Sequence, residues 1–272
     1  MAYIDSGKLA AAGFTDTVKP RSNNVCCIIA GPEGSGKTHW ALTAPKPLFY
    51  QSTDFGEDGV IQKAEGQIIR PATGDYKLEI PIEYRAFVDR LEKDDERKTR
   101  EGRLANFVHD KFYLPFRRDL EAALKAGVRT VVWDTALEVW EYVRMSVYGR
   151  HATNRDDLKT EANAKMKELI RLSNVHGVNL IMINRLKPKF ESYYDAMGNV
   201  KWRVNPAEFE MQGFDKSPEL VAVNLWTKYT PGTGFELTVK KCRDNADFVG
   251  QTFPSMTFEE MMGMLIPSVE KW

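Results

Sequence analysis

Eight consecutive residues, Gly31-Pro32-Glu33-Gly34-Ser35-Gly36-Lys37-Thr38, restrict this chain more than anything else in it. They fit the pattern G-x-x-x-x-G-K-[ST], a glycine-rich turn between a strand and a helix that directs backbone amides at phosphate. The flanks suit that pattern. Val25-Cys26-Cys27-Ile28-Ile29-Ala30 is an unbroken apolar run that predicts a buried strand, and His39-Trp40-Ala41-Leu42 can continue as helix until Pro45 stops it. Gly31, Gly34 and Gly36 permit backbone conformations closed to other residues, which lets successive N–H groups turn inward. In such a loop the lysine, here Lys37, reaches the β- and γ-phosphates, and the hydroxyl of Thr38 sits on Mg²⁺. ATP and Mg²⁺ are therefore the expected cofactors. The expected nucleotide contacts are Gly31, Pro32, Glu33, Gly34, Ser35, Gly36, Lys37, Thr38 and the adjoining His39.

The rest of the composition narrows the class. The chain has 272 residues, with Lys+Arg and Asp+Glu both at 38. A nucleic-acid surface must then be a local patch, because there is no global positive field. No apolar run approaches the length of a membrane span and no signal-peptide core begins the chain, so a cytoplasmic protein without a membrane partner is expected. Cys26 and Cys27 share the predicted buried strand while Cys242 lies far away, a spacing that suggests neither a disulfide framework nor a zinc site. Residues 1–22 are polar and small around an Ala10-Ala11-Ala12-Gly13-Phe14 cluster and read as an N-terminal arm or a tail, ahead of a domain over 23–272.

Further along, Pro47-Leu48-Phe49-Tyr50-Gln51-Ser52 predicts a second strand, followed by the acidic turn Thr53-Asp54-Phe55-Gly56-Glu57-Asp58-Gly59. An acid placed there can face the γ-phosphate and polarise the attacking water, with Asp54 the first choice and Glu57 the second; the other reading is a solvated turn. Residues 83–127 predict a helical segment, in which Tyr113, Phe116, Leu120 and Leu124 recur at helical spacing and Gly127 ends the run. Val128-Arg129-Thr130-Val131-Val132-Trp133-Asp134-Thr135 is an apolar strand ending in aspartate, and downstream of the glycine loop it assigns Asp134 to the water shell of Mg²⁺. A helix through Leu158, Ala162, Met166, Leu169 and Ile170 precedes a further buried strand, Val178 to Ile183. That strand leaves into Asn184 and Arg185, either of which can sense the γ-phosphate.

Residues 186–216 show little regular pattern and read as a long loop. Lys187, Lys189, Lys201 and Arg203 stand there among Phe190, Tyr193, Tyr194 and Trp202. Cations for backbone phosphates interleaved with aromatic faces for bases suit single-stranded nucleic acid. The alternative is a hairpin with ordinary cross-strand aromatics about Met197-Gly198-Asn199. Two late strands, near 220–226 and 234–239, join through Thr230-Pro231-Gly232, and the second runs into Lys240-Lys241-Cys242-Arg243. A short amphipathic helix, Phe258 to Leu265, follows.

Taken together, residues from about 23 to 255 resemble the RecA-like P-loop ATPase core, and within it the phage-encoded RecA-like nucleotide-binding proteins that include single-strand annealing ATPases. The glycine loop, Thr43-Ala44-Pro45-Lys46-Pro47-Leu48, the acidic turn, Val131-Val132-Trp133-Asp134-Thr135, Met182-Ile183-Asn184-Arg185 and Lys241-Cys242-Arg243 carry the resemblance. It implies an α/β fold with a mostly parallel central sheet flanked by helices and late antiparallel strands. It also implies a ring or filament with ATP between subunits, where Lys241 or Arg243 reaches a neighbour's γ-phosphate, and a DNA-binding loop that begins at Leu186. The family's catalytic glutamate falls nearest Thr53 and Asp54, and its glutamine phosphate sensor is Arg185 here. The function implied is a Mg²⁺-dependent ATPase binding single-stranded DNA in phage-type recombination or annealing, in the host cytoplasm if phage-encoded. A nucleotide-dependent assembly module such as a helicase loader, and a P-loop small-molecule kinase, are the alternatives.

Overall fold

Side chains on successive residues of a strand point to opposite faces, and here that alternation divides the apolar residues between two cores. On β1 (Cys26–Gly31), Cys26, Ile28 and Ala30 face one core and Cys27 and Ile29 the other. The computed structural model describes residues 23–53, 60–71, 76–79, 94–150, 156–195 and 197–269. Within them, β2 (Leu48–Ser52), β3 (Ile68–Ile69), β4 (Thr130–Asp134), β5 (Asn179–Tyr194), β6 (Val200–Met211), β7 (Val223–Thr230), β8 (Gly234–Cys242) and β9 (Thr252–Pro254) complete a nine-stranded sheet. Its order is β3-β2-β4-β5-β1-β7-β8-β9, with β6 paired to β5. From β3 to β7 neighbours run parallel, and β8 and β9 are antiparallel, as expected.

Helices cover both faces. One side holds α1 (Lys37–Ala41) and α7 (Phe258–Leu265), with Trp40 packed on Phe258 at 5.5 Å between ring centres. The other side holds α3 (Leu114–Lys125), α4 (Ala136–Tyr148) and α5 (Asp156–Val175), meeting the sheet through residues such as Phe116, Tyr142 and Met166. A π-helical turn, His109–Tyr113, joins α3 to the preceding α2 (Asp94–Val108). Helix α4 has no counterpart in the sequence-based expectation. A short helix, α6 (Ser217–Leu220), leads into β7. All three cysteines are buried and free, and burial pushes the Cys26 thiol up to about 12, so these are core residues rather than reactive ones.

The expected long loop over 186–216 is a hairpin instead. Strand β5 continues beyond the sheet core and pairs antiparallel with β6, with Lys187 opposite Glu210, Glu191 opposite Arg203 and Ser192 opposite Trp202. At its tip the Asp195 carboxylate accepts hydrogen bonds from the backbone N–H groups of Met197 and Asn199, each at 2.9 Å. Backbone donation from Asn199, followed by Lys201, holds this carboxyl below its ordinary 3.8. A depressed folded value means that the tip gains stability above the ordinary range and loses it as pH falls through the folded value. The amide of Asn199 should therefore keep its protection from hydrogen exchange above pH 3.8 and lose it below, whereas in Asp195→Asn the protection should already be low above pH 3.8 and not change as pH falls.

Candidate functional site

The C-terminal end of β1 opens into the glycine loop, and β5 and β7 flank it on either side. Gly31 has no room for a side chain: a Cβ there would lie 2.4 Å from the Thr227 carbonyl oxygen and 2.6 Å from Ser35 Oγ. Gly34 and Gly36 both have positive φ, at 72° and 81°. The loop is also braced. Ser35 Oγ donates to the Pro32 carbonyl at 2.7 Å, and Thr227 Oγ1 on β7 donates to the Ser35 carbonyl at 2.5 Å. Pro32, Glu33 and Gly34 form the exposed crest, and Ser35 is buried beneath it. Lys37 Nζ donates to the carbonyls of Gly31 at 3.0 Å and Pro32 at 2.6 Å, which places its charge over the concave side of the turn.

Asp134 arrives at the same place from the end of β4, with β5 lying between β4 and β1. Thr38 Oγ1 donates to Asp134 Oδ2 at 2.7 Å, so the fold brings together two residues 96 positions apart in sequence. A second donor joins it: Tyr50 on β2, fully buried, gives its phenolic hydrogen to the same Oδ2 at 2.6 Å. Sequence offers no signal for it, since only the pairing of β2 with β4 brings Tyr50 there. A hydroxyl beside a carboxylate, both oxygen donors, fits a hard divalent cation that takes most of its remaining ligands from water and phosphate. Among the described residues no cluster of three or more His, Cys, Asp or Glu stands together as an all-protein cage.

The other site residues divide. Asn184 and Arg185 lie beside Ala30 and Gly31 in the β1–β5 pairing, at the mouth of the loop, with Asn184 buried and Arg185 exposed. Asp54 and Glu57 lie outside the described residues. Thr53, which precedes them, is turned away from chemistry: its Oγ1 accepts from the Thr135 N–H at 2.7 Å and donates to the Thr135 carbonyl at 3.1 Å. Lys241 and Arg243 are not near their own glycine loop. The pairing of Val223 with both Cys27 and Cys242 puts them at the opposite end of the sheet. There Lys241 Nζ donates to the Pro218 carbonyl at 2.5 Å and Arg243 Nη2 to the Glu219 carbonyl at 3.1 Å, at the end of α6. Desolvation, and then the neighbouring Arg243, push the Lys241 ammonium below its ordinary value.

The hairpin is amphipathic. Cross-strand partners share a face, so Phe190 with Val204, Trp202, and Tyr194 with Val200 make one apolar side, while Tyr193, Lys201, Glu191 and Arg203 make the other. Phe190, Trp202 and Tyr194 are 53%, 68% and 76% exposed. The basic residues are all ion-paired within the hairpin: Lys187 with Glu210 at 3.0 Å, Lys189 with Glu208 at 3.0 Å, Lys201 with Asp195 at 3.1 Å and Arg203 with Glu191 at 2.6 Å. The arm is therefore balanced in charge rather than basic. Arg203 also lies 5.4 Å from the centre of the Tyr193 ring.

A model of the family described as AAA domain matches residues 23–215, which include the glycine loop, Asp134 and the hairpin. The chain belongs to that family. It is a P-loop ATPase domain, and binding and hydrolysis of a nucleoside triphosphate are what the family assigns in general. No curated protein matches the chain. Among the described residues no helix is long and apolar enough to cross a membrane.

Proposed function

We propose that this AAA-family domain is a Mg²⁺-dependent ATPase whose hairpin binds single-stranded DNA, in recombination or strand annealing of the phage type. The observation that carries the reading is the path of β5. One continuous strand passes the glycine loop at Asn184 and Arg185 and then becomes the outer arm bearing Phe190 and Tyr194. A change at the γ-phosphate thus has a short, stiff route to the aromatic face. Thr38 and Asp134 hold the cation that neutralises the phosphates, and Lys37 moves from the loop carbonyls to the β- and γ-phosphates. Two cavities flanking α1, of about 200 and 520 Å³, share His39, Thr43 and Thr257 and give the ribose and base a path away from the loop. Phe235 walls the smaller cavity next to Gly36.

Lys241 and Arg243 act, in this reading, on the nucleotide of an adjacent copy in a ring or filament, since their own loop lies at the far end of the sheet. The neutral hairpin changes what is expected of DNA binding. With its cations already paired, stacking supplies most of the affinity and few counterions are released. By fluorescence anisotropy with a labelled oligonucleotide, Trp202→Ala and Tyr194→Ala should each weaken binding about tenfold. Wild-type affinity should fall less than about tenfold between roughly 50 and 200 mM salt. Absence of binding at low salt, with and without ATP, would refute the DNA part of the reading. The ion-paired arm favours a second reading, a nucleotide-dependent assembly module whose apolar hairpin face meets protein. Its mark would be nucleotide binding with no oligonucleotide affinity.

A further inference from the structure

Asp134 Oδ2 accepts two hydroxyl hydrogens, one from Thr38 at 2.7 Å and one from Tyr50 at 2.6 Å. The two donors differ in what else they have to do. Thr38 belongs to the loop and would offer an oxygen lone pair to the cation when one is bound, while its proton goes to the carboxylate. Tyr50 belongs to the sheet: it is 0% exposed, two residues before the strand position that pairs with Asp134, and it lies in the same buried cluster as Leu48, Val132 and Ile183. Only its hydroxyl is given to Asp134.

We propose that Tyr50 is the positioning residue for the cation-binding carboxylate. The terminal torsion of an aspartate is broad and selects its own orientation poorly. Two hydrogen bonds to one oxygen fix the plane of the group, and that plane decides where the second oxygen points. Thr38 alone is a weaker guide, because it sits on the loop that has to receive the phosphates rather than in the sheet. Tyr50 does not shift with the loop, so the carboxylate keeps one orientation before and after the nucleotide enters. The partners that orient metal-binding groups commonly govern affinity as strongly as this. The inference rests on the proposed Mg²⁺–nucleotide reading of the site.

The test uses the full chain and a fluorescent ATP analogue, titrated in EDTA and over a Mg²⁺ series. Tyr50→Phe keeps the ring in its slot and removes only the hydroxyl. It should raise the Mg²⁺ concentration for half-maximal effect by about 10–100-fold, with the affinity in EDTA unchanged. A half-maximal concentration equal to wild type would overturn the inference. An equal loss of affinity in EDTA would overturn it too, because it would mark a packing defect. If the wild-type protein gains no affinity from Mg²⁺, the nucleotide reading itself fails and this inference falls with it. A structure of the wild-type protein with Mg²⁺ and a non-hydrolysable ATP analogue gives an answer that does not depend on the variant folding. Tyr50 Oη should remain within about 3 Å of Asp134 Oδ2, and a separated pair would overturn the proposal.

Discussion

Replacing Lys37 by alanine is expected to lower ATP turnover by about 10²–10³-fold, the usual cost of removing one preorganised donor from developing transition-state charge. Lys37 Nζ is held by two neutral acceptors, the Gly31 and Pro32 carbonyls at 3.0 and 2.6 Å. A triphosphate offers the ammonium full negative charge in exchange, and charge-assisted hydrogen bonds are roughly twice as strong as neutral ones. The lysine should therefore leave the loop for the phosphates on binding, and alanine leaves that charge unmet. The fold should survive, because Lys37 is half-buried at the start of α1 and its ammonium rests on two carbonyls of the loop. Phosphate release with saturating Mg²⁺ and ATP measures the loss, and an unchanged melting curve separates it from unfolding. Turnover close to wild type would mean that hydrolysis does not run through this loop.

Gly31→Ala should destabilise the chain by about 3 kcal/mol, near the upper end of overpacking costs. The new Cβ would meet the Thr227 carbonyl oxygen at 2.4 Å, Ser35 Oγ at 2.6 Å and Thr227 Cγ2 at 2.8 Å. The first contact is backbone on β7, so relief requires β7 to move away from β1 and not merely a side chain to turn. Such a shift also strains the Thr227 hydrogen bond to the Ser35 carbonyl at 2.5 Å. In a domain of this size, a loss of that order lowers the melting temperature by roughly 6–12 °C. Gly34 supplies the control. A Cβ there meets nothing within 4 Å, and only the positive φ of 72° opposes it, so Gly34→Ala should cost about 1–2 kcal/mol. Thermal melts that place Gly31→Ala at or above Gly34→Ala would contradict this packing.

The parts of the site that the sequence reveals are those defined by short-range pattern. The glycine loop announces itself through residue spacing, and β1, β4 and the inner half of β5 are apolar runs long enough to be buried strands and little else. The outer half of β5 was harder to read. Lys187, Lys189, Lys201 and Arg203 look like a basic patch until the hairpin register sets Glu210, Glu208, Asp195 and Glu191 beside them. An acid near a cation in sequence does not indicate whether the two pair, whereas the register does. Helix α4 has no clear signature in the sequence because Ala136, Leu137, Val139, Trp140, Tyr142, Val143 and Met145 crowd most of its circumference, which blurs the stripe that marks an amphipathic helix. Tyr50 was invisible for a third reason: its role depends on a diagonal contact across two strands 84 residues apart in sequence from Asp134. Lys241 and Arg243 stand out in the sequence as a basic pair, but only the antiparallel return of β8 shows that they sit away from their own glycine loop.

On this reading residues 31–38 grip a triphosphate while Thr38 and Asp134 hold its cation. That grip is tested most directly by determining the structure of the protein with Mg²⁺ and a non-hydrolysable ATP analogue. Phosphates should then be seated against the loop amides, with Lys37 Nζ moved off the Gly31 and Pro32 carbonyls onto the β- and γ-phosphates and a cation beside the Thr38 hydroxyl. An analogue bound elsewhere, with Lys37 still on the loop carbonyls, would contradict this reading.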